Sequence, residues 1–227
     1  GSSVDLAQLY AGSEGSLGVV TEAKLRLTRF AQHRALFVLR YASFDAALAS
    51  SEWLVATDPG SVETIDETVL DLARGDVIYD QVRVFLETQN EAPTRAINLV
   101  EYSSDDVAAV QAKAQALEAR IASQQGQLGI PHGYALTWQP AERESLWNLR
   151  KKGVGLLGNA PGPRKPVPFV EDTVVPPQNL QAYVREFRAI LDAEGLRYGM
   201  FGHVDVGCLH VRPALDLKDP ADEARIR

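Results

Sequence analysis

Residues 201–213 read Phe-Gly-His-Val-Asp-Val-Gly-Cys-Leu-His-Val-Arg-Pro, two apolar, strand-like runs around Asp205-Val206-Gly207. Asp initiates turns and Gly takes a positive φ at no steric cost, so the segment predicts a β-hairpin. Paired strands would bring His203 and His210 near each other. Polar groups set in an apolar wall must be hydrogen-bonded, metal-bound or functional. Two readings stand at this point: a pair of structural histidines capping a hairpin, or a working pair.

The rest of the chain supplies a sheet for that hairpin to join. From Arg34 on, the order is β-α-β-(α)-β-α-β-α-β-α-β-β. Strands are expected at 34–42, 61–65, 96–102, 134–138 and 168–175, and helices at 44–57, through Leu72, 105–125, 141–152 and 178–194. Residues 153–165, rich in Gly and Pro, predict a loop, and 75–95 carry no clear pattern. The strands are neither glycine-fingerprinted nor uniformly apolar. The expected class is therefore α+β, an antiparallel sheet with helices on one face, as two ferredoxin-like halves, rather than a doubly wound fold. Before it, Val4–Tyr10 predicts a short helix. Gly12-Ser13-Glu14-Gly15-Ser16-Leu17-Gly18 predicts a turn whose bare amides a ligand can approach. Residues 19–27 alternate Ala23, Leu25 and Leu27 with Lys24 and Arg26, a strand pattern.

Composition narrows the function classes. The chain has 227 residues, 45% of them hydrophobic, enough for a sizeable core. Its net charge of −7 argues against nucleic acid and anionic membrane as partners. No apolar run approaches the ~20 residues of a membrane span, and no signal peptide is visible. The single cysteine, Cys208, excludes an intrachain disulfide and a cysteine-ligated cluster built by this chain alone. It also fits a reducing, cytoplasmic setting; peripheral association with an inner membrane is the alternative. The sequence lacks an initiator Met and breaks off in a charged run, and it reads as an excised piece of a longer protein, with a complete processed protein as the alternative.

Three stretches together resemble the FAD-linked oxidase family, the group holding D-lactate, glycolate and D-2-hydroxyglutarate dehydrogenases. They are residues 12–23, beginning Gly-Ser-Glu-Gly-Ser-Leu-Gly; Phe169-Val-Glu-Asp-Thr-Val-Val-Pro-Pro177; and the hairpin. The hairpin wording is most similar to the large bacterial members that carry an iron–sulfur region downstream. The resemblance implies that 1–30 is the incomplete C-terminal end of a flavin-binding domain. It makes 31–227 the substrate or cap domain, truncated at its C-terminus. Gly12, Ser13, Glu14, Gly15, Ser16, Gly18 and Val19 would contact FAD, whose domain is otherwise missing and would be this chain's partner. His203 and His210 match the family's paired histidines. They would bind a divalent metal such as Zn and polarise the substrate hydroxyl, with a third ligand, a glutamate, in a later motif. Arg150, in a Trp-x-x-Arg position, and Lys165, beyond the Gly/Pro loop, match residues that hold substrate carboxylates. Asp205-Val206-Gly207-Cys208 departs from the family's Gly-Asp-Gly-Asn.

The expected activity is oxidation of a small D-2-hydroxy acid, D-2-hydroxyglutarate or D-lactate, by hydride transfer to flavin. This chain would form the substrate pocket and be inactive alone, with homo-oligomerisation open. The competing reading is a non-catalytic ferredoxin-like module for ligand binding or assembly. A weaker third is a stand-alone metallohydrolase. Glu171 and Asp172 are candidate neighbours of the histidines, while Cys208 and the three tryptophans are expected to pack.

Overall fold

The computed structural model describes residues 4–27, 29–87 and 92–226; expectations touching 1–3, 28, 88–91 and 227 fall outside it. Two units separate, Gly1–Phe30 and Ala31–Arg227.

In the first unit, Asp5 caps α1 (Leu6–Ala11) by accepting from the Ala7 amide. The turn after it places Glu14 at φ 50 and Gly15 at φ 81, both left-handed. Residues 19–27 do not form the strand their alternation predicts. Val19, Val20, Leu25 and Leu27 are exposed, and the segment pairs with no strand among the described residues. Alternation marks a face, but a strand needs a neighbour to take up its amides and carbonyls.

The second unit is built on eight strands. They are β1 (His33–Tyr41), β2 (Ser61–Ile65), β3 (Ala96–Ser104), β4 (Gly133–Thr137), β5 (Lys165–Pro166), β6 (Val170–Val174), β7 (Tyr198–His203) and β8 (Cys208–Leu215). The sheet runs β4-β1-β3-β2-β7-β8-β5, with β6 also on β8, and every pairing is antiparallel. The helices are α2 (Phe44–Ala49), α3 (Ser51–Val55), α4 (Glu67–Arg74), α5 (Ile78–Leu86), α6 (Val107–Ser123), α7 (Pro140–Gly158), α8 (Leu180–Ala193) and α9 (Pro220–Ile226).

Two ferredoxin-like halves are visible in that order. The first is β1-α2/α3-β2-β3-α6-β4, laid out β4-β1-β3-β2. The second is β6-α8-β7-β8, laid out β6-β8-β7. They are joined where β2 meets β7, with Glu63 opposite His203 and Ile65 opposite Phe201. The α+β antiparallel class is as the sequence implies.

The placing of the helices differs: they cover both faces. Ala35, Phe37, Leu39 and Tyr41 of β1 pack with α2, α3, α6 and α8. Leu36 and Val38 pack with α4, α5 and α7 on the other side. The crossover helices of both halves thus share one face, as expected, and the second face is covered by α4 and α5, inserted between β2 and β3, and by α7 after β4. The continuous apolar run of β1 is what a strand buried on both faces requires.

Three boundaries also move. The helix expected over 44–57 breaks in two, because the Ser50 and Ser51 hydroxyls donate to Ala47 O and Leu48 O, and Ser51 also reaches Pro177 O. Helix α7 continues to Gly158, beyond the expected end at Lys152. Gly153 lies buried against α4, where a Cβ would meet Val69 Cγ1 at 3.6 Å, an ordinary packing contact. Within the expected 153–165 loop, Lys165 begins the short edge strand β5. Among the described residues no helix is long and apolar enough to cross a membrane.

Candidate active site

The hairpin forms as its sequence predicts. A short 3₁₀ turn, Val204–Val206, ends at Gly207, whose φ is 69°. Only glycine fits: a Cβ there would lie 1.7 Å from Val175 O. His203 faces Cys208 and His210 faces Phe201 across the ladder. The histidines are therefore diagonal neighbours on one face, with ring centroids 5.2 Å apart and planes at 81°.

That face is the one α7 covers. Period-two alternation from the core residues Ile65, Leu99 and Phe201 puts Glu63, Glu101, His203 and His210 on it. The helix contributes Trp147 and Arg150. Glu63 accepts from Arg150 Nε at 2.7 Å through one oxygen and lies 2.6 Å from His203 Nδ1 through the other. Arg150 is 11% exposed and Glu63 13%. The Arg150 guanidinium stacks on Phe201, 4.6 Å from its centroid. Its two Nη groups make no hydrogen bond among the described residues. On the same face Trp147 Nε1 donates to Glu101 at 3.1 Å, and Arg34 pairs with Glu101 at 3.3 Å.

The far side of His210 is lined by β6. The ladder shifts register between Val170 and Thr173, and Asp172 takes φ 58 there. Such an irregularity re-aims a side chain. Asp172 Oδ1 comes within 2.9 Å of His210 Nδ1, but off the angle of a hydrogen bond, and that buried nitrogen has no hydrogen-bond partner among the described residues. Burial first, then the Arg150 charge, pushes His210 below the ordinary imidazole pKa. Glu171 pairs with Arg212, whose guanidinium lies 5.8 Å from the Phe201 centroid. Burial pushes the Cys208 thiol up, away from a reactive thiolate.

Of the residues singled out from sequence, His203, His210 and Arg150 are brought together. Lys165 is not: its Nζ donates to Ala160 O at the end of α7, and among the described residues it makes no hydrogen bond or ion pair with that cluster. Residues 12–19 form an exposed turn in which Ser13 and Ser16 donate to Tyr10 O and Ser13 O. Space for a Cβ at Gly15 is open. Among the described residues no group of three or more His, Cys, Asp or Glu side chains is arranged to hold a metal ion; the histidines offer two ligand positions. Sequence reasoning missed Glu63. Its signal was a carboxylate in register with Ile65 in the short strand Ser61–Ile65.

Fold and site define a duplicated ferredoxin-like α+β domain that sets a histidine pair and a partly free guanidinium on one covered sheet face. Residues 31–227 match the FAD linked oxidases, C-terminal domain. The chain belongs to that family. It is 46% identical over 223 residues to a D-2-hydroxyglutarate dehydrogenase of Escherichia coli, covering 96% of this chain and 22% of the relative. The mitochondrial D-lactate dehydrogenase [cytochrome] of Arabidopsis thaliana is 26% identical, over 98% of this chain and 36% of its own length. A solved alkyldihydroxyacetonephosphate synthase shares the fold at 13% identity, with a TM-score of 0.61 over 99% of this chain and 43% of that one. The chain thus spans about a fifth of the D-2-hydroxyglutarate dehydrogenases it matches.

Proposed function

We propose that this chain forms the substrate side of an FAD-dependent dehydrogenase that oxidises a D-2-hydroxy acid, with D-2-hydroxyglutarate the first substrate to test. The observation that carries the reading is the meeting of His203, His210 and Arg150 on one face, from a hairpin and a helix remote in sequence. The 46% identity to a relative bearing that name supports the substrate class.

Three tasks fall to these residues. Arg150 offers its unused Nη groups to a substrate carboxylate, while its Nε stays on Glu63; a planar fork suits that geometry. Lys165, exposed on a flexible stem, leaves the Ala160 carbonyl to reach a second carboxylate. The histidine pair faces the hydroxyl-bearing carbon and holds the hydroxyl for deprotonation. Burial and the Arg150 charge favour the neutral form of His210, the form that can accept a proton or ligate a metal. FAD, when bound, supplies the hydride acceptor. A divalent ion such as Zn would take two ligands from His203 and His210, the remainder coming from other parts of the protein, and would acidify the hydroxyl.

In this reading residues 1–30 are the end of the flavin domain and Gly12, Ser13, Glu14, Gly15, Ser16, Gly18 and Val19 meet the cofactor. The open turn at Gly15 supports that placement. Any iron–sulfur cluster lies outside this chain, and the setting is cytoplasmic. The test is addition of D-2-hydroxyglutarate, D-lactate and glycolate to the full-length protein, watching the flavin's visible absorbance. Bleaching by one of them is expected. No bleaching by any member of the panel, or unchanged turnover in His203→Gln and His210→Gln, refutes the reading in favour of a non-catalytic module.

A further inference from the structure

We infer that Glu63 is a positioning residue that fixes the His203 tautomer and the Arg150 guanidinium at once, through the two oxygens of one carboxylate. The inference deepens the proposed function and rests on it for the use made of the two side chains, but not for the device itself.

The argument is one of donors and acceptors. Glu63 Oε2 is 2.7 Å from Arg150 Nε and Oε1 is 2.6 Å from His203 Nδ1. A carboxylate held by a guanidinium can only accept. The Arg150 Nε always carries a hydrogen. In the neutral ring Nδ1 of His203 must therefore carry the hydrogen, and Nε2 keeps its lone pair. A carboxylate behind an imidazole in this way orients the ring and fixes its tautomer, so that the far nitrogen is the atom a metal or a hydroxyl proton would meet. The same carboxylate holds Arg150 by Nε with its guanidinium over the Phe201 ring. Strand β2 places the residue for this: Glu63 stands opposite His203 in the β2–β7 ladder, beneath α7. Glu63 is 13% exposed, so water competes little for its oxygens.

Glutamine at position 63 tests the logic because it keeps the shape and loses one acceptor. It has a single carbonyl oxygen for two donors. Arg150 cannot give up its Nε hydrogen, so the oxygen must turn to Arg150 and the amide NH₂ to His203. His203 Nδ1 then has to accept, and its proton moves to Nε2. The experiment is ¹H–¹⁵N NMR of histidine-labelled 227-residue chain at mildly alkaline pH, where the two-bond coupling pattern reports which ring nitrogen is protonated.

The native chain is expected to show His203 protonated at Nδ1, and Glu63→Gln to show it protonated at Nε2. An Nε2-protonated His203 in the native chain overturns the inference, and needs no variant to fold. An unchanged pattern in a folded Glu63→Gln variant overturns it as well. In the full-length protein, Glu63→Gln should lower kcat on the order of 10–100-fold, as removal of an imidazole's carboxylate partner commonly does. A switched tautomer with unchanged kcat would keep the device and overturn the catalytic use assigned to His203, so the two failures are distinguishable.

Discussion

Two glycines with the same backbone conformation isolate what holds the histidine hairpin in place. Gly207 lies at φ 69° and Gly195 at φ 64°. An alanine at either must adopt the left-handed region, which costs about 1–2 kcal/mol relative to glycine. There the likeness ends. At Gly195 nothing lies within 4 Å of the added Cβ, whereas at Gly207 the Val175 carbonyl oxygen would be 1.7 Å from it. That is short of an ordinary contact by roughly 1.5–2 Å. Relief requires β8 and the 175–177 segment to part, although Val175 N donates to Gly207 O at 3.0 Å. Overpacking of this kind adds about 1–3 kcal/mol. Gly195→Ala should therefore lose about 1–2 kcal/mol and Gly207→Ala about 2–5 kcal/mol. For a domain of this size each kcal/mol lowers Tm by about 2–4 °C. Urea unfolding followed by circular dichroism gives both values directly. If the two variants lose the same stability to within about 0.5 kcal/mol, the usual scatter of surface substitutions, the steric account of the hairpin is refuted.

Other perturbations test the parts around it. Arg150→Lys removes the planar fork and its stack on Phe201, and should raise KM for a D-2-hydroxy acid about tenfold or more in the full-length protein; an unchanged KM excludes Arg150 from carboxylate binding. Asp66, fully buried, accepts from Val69 N at 3.0 Å and Met200 N at 2.7 Å, tying α4 to β7. Asp66→Ala orphans two buried donors and should cost about 2–4 kcal/mol in urea unfolding, against less than about 1 kcal/mol if the cap is incidental. The Asp216 amide first, and then Arg164, hold the Asp222 carboxyl below its usual range. Below that range the unfolded chain binds the proton first, so stability should fall as pH drops from about 4 through the lowered value. Asp222→Asn should flatten that limb relative to native; equal acid slopes would remove Asp222 from the acid response.

The local chemistry of this chain was legible and its neighbourhoods were not. The hairpin could be read because its turn residues, Asp205 and Gly207, are adjacent in sequence to the strands they join. Arg150 was singled out by the Trp-x-x-Arg resemblance, and it lies where α7 passes over the sheet, in a helix that runs past its expected end into Gly153 and Gly155. Lys165 stands apart from the histidine cluster because two residues of pairing to Leu215 and Ala214 draw the end of the Gly/Pro segment onto the sheet edge, where Ala160 O accepts from the ammonium. Helix α5 was hidden among polar residues, although Ile78, Val82, Phe85 and Leu86 make a buried stripe at helical spacing. Glu63 shows why pair contacts are harder than elements. Nothing within β2 says that its carboxylate will meet a histidine 140 positions away.

The second face of the sheet explains why a site arises there at all. The crossover helices of both halves lie on one side, which would leave the opposite side of a bare ferredoxin-like pair open to water. Helices α4, α5 and α7 close that side, and the polar row lies along α7, where closure desolvates its charges. Charges in that position need partners, since an unpaired buried carboxylate costs several kcal/mol. The row supplies them in alternation: Arg34 with Glu101, Glu63 with Arg150 and His203, Glu171 with Arg212. Each carboxylate is satisfied by the chain itself, while the Arg150 Nη groups and the exposed side of His203 are left over. Under the proposed function, an anion entering here would meet charges already paired, with the unused Arg150 donors beside the histidine pair. On the same reading, a carboxylate next to a hydroxyl would be recognised through that remainder rather than through net positive charge, which this chain, at −7, does not possess.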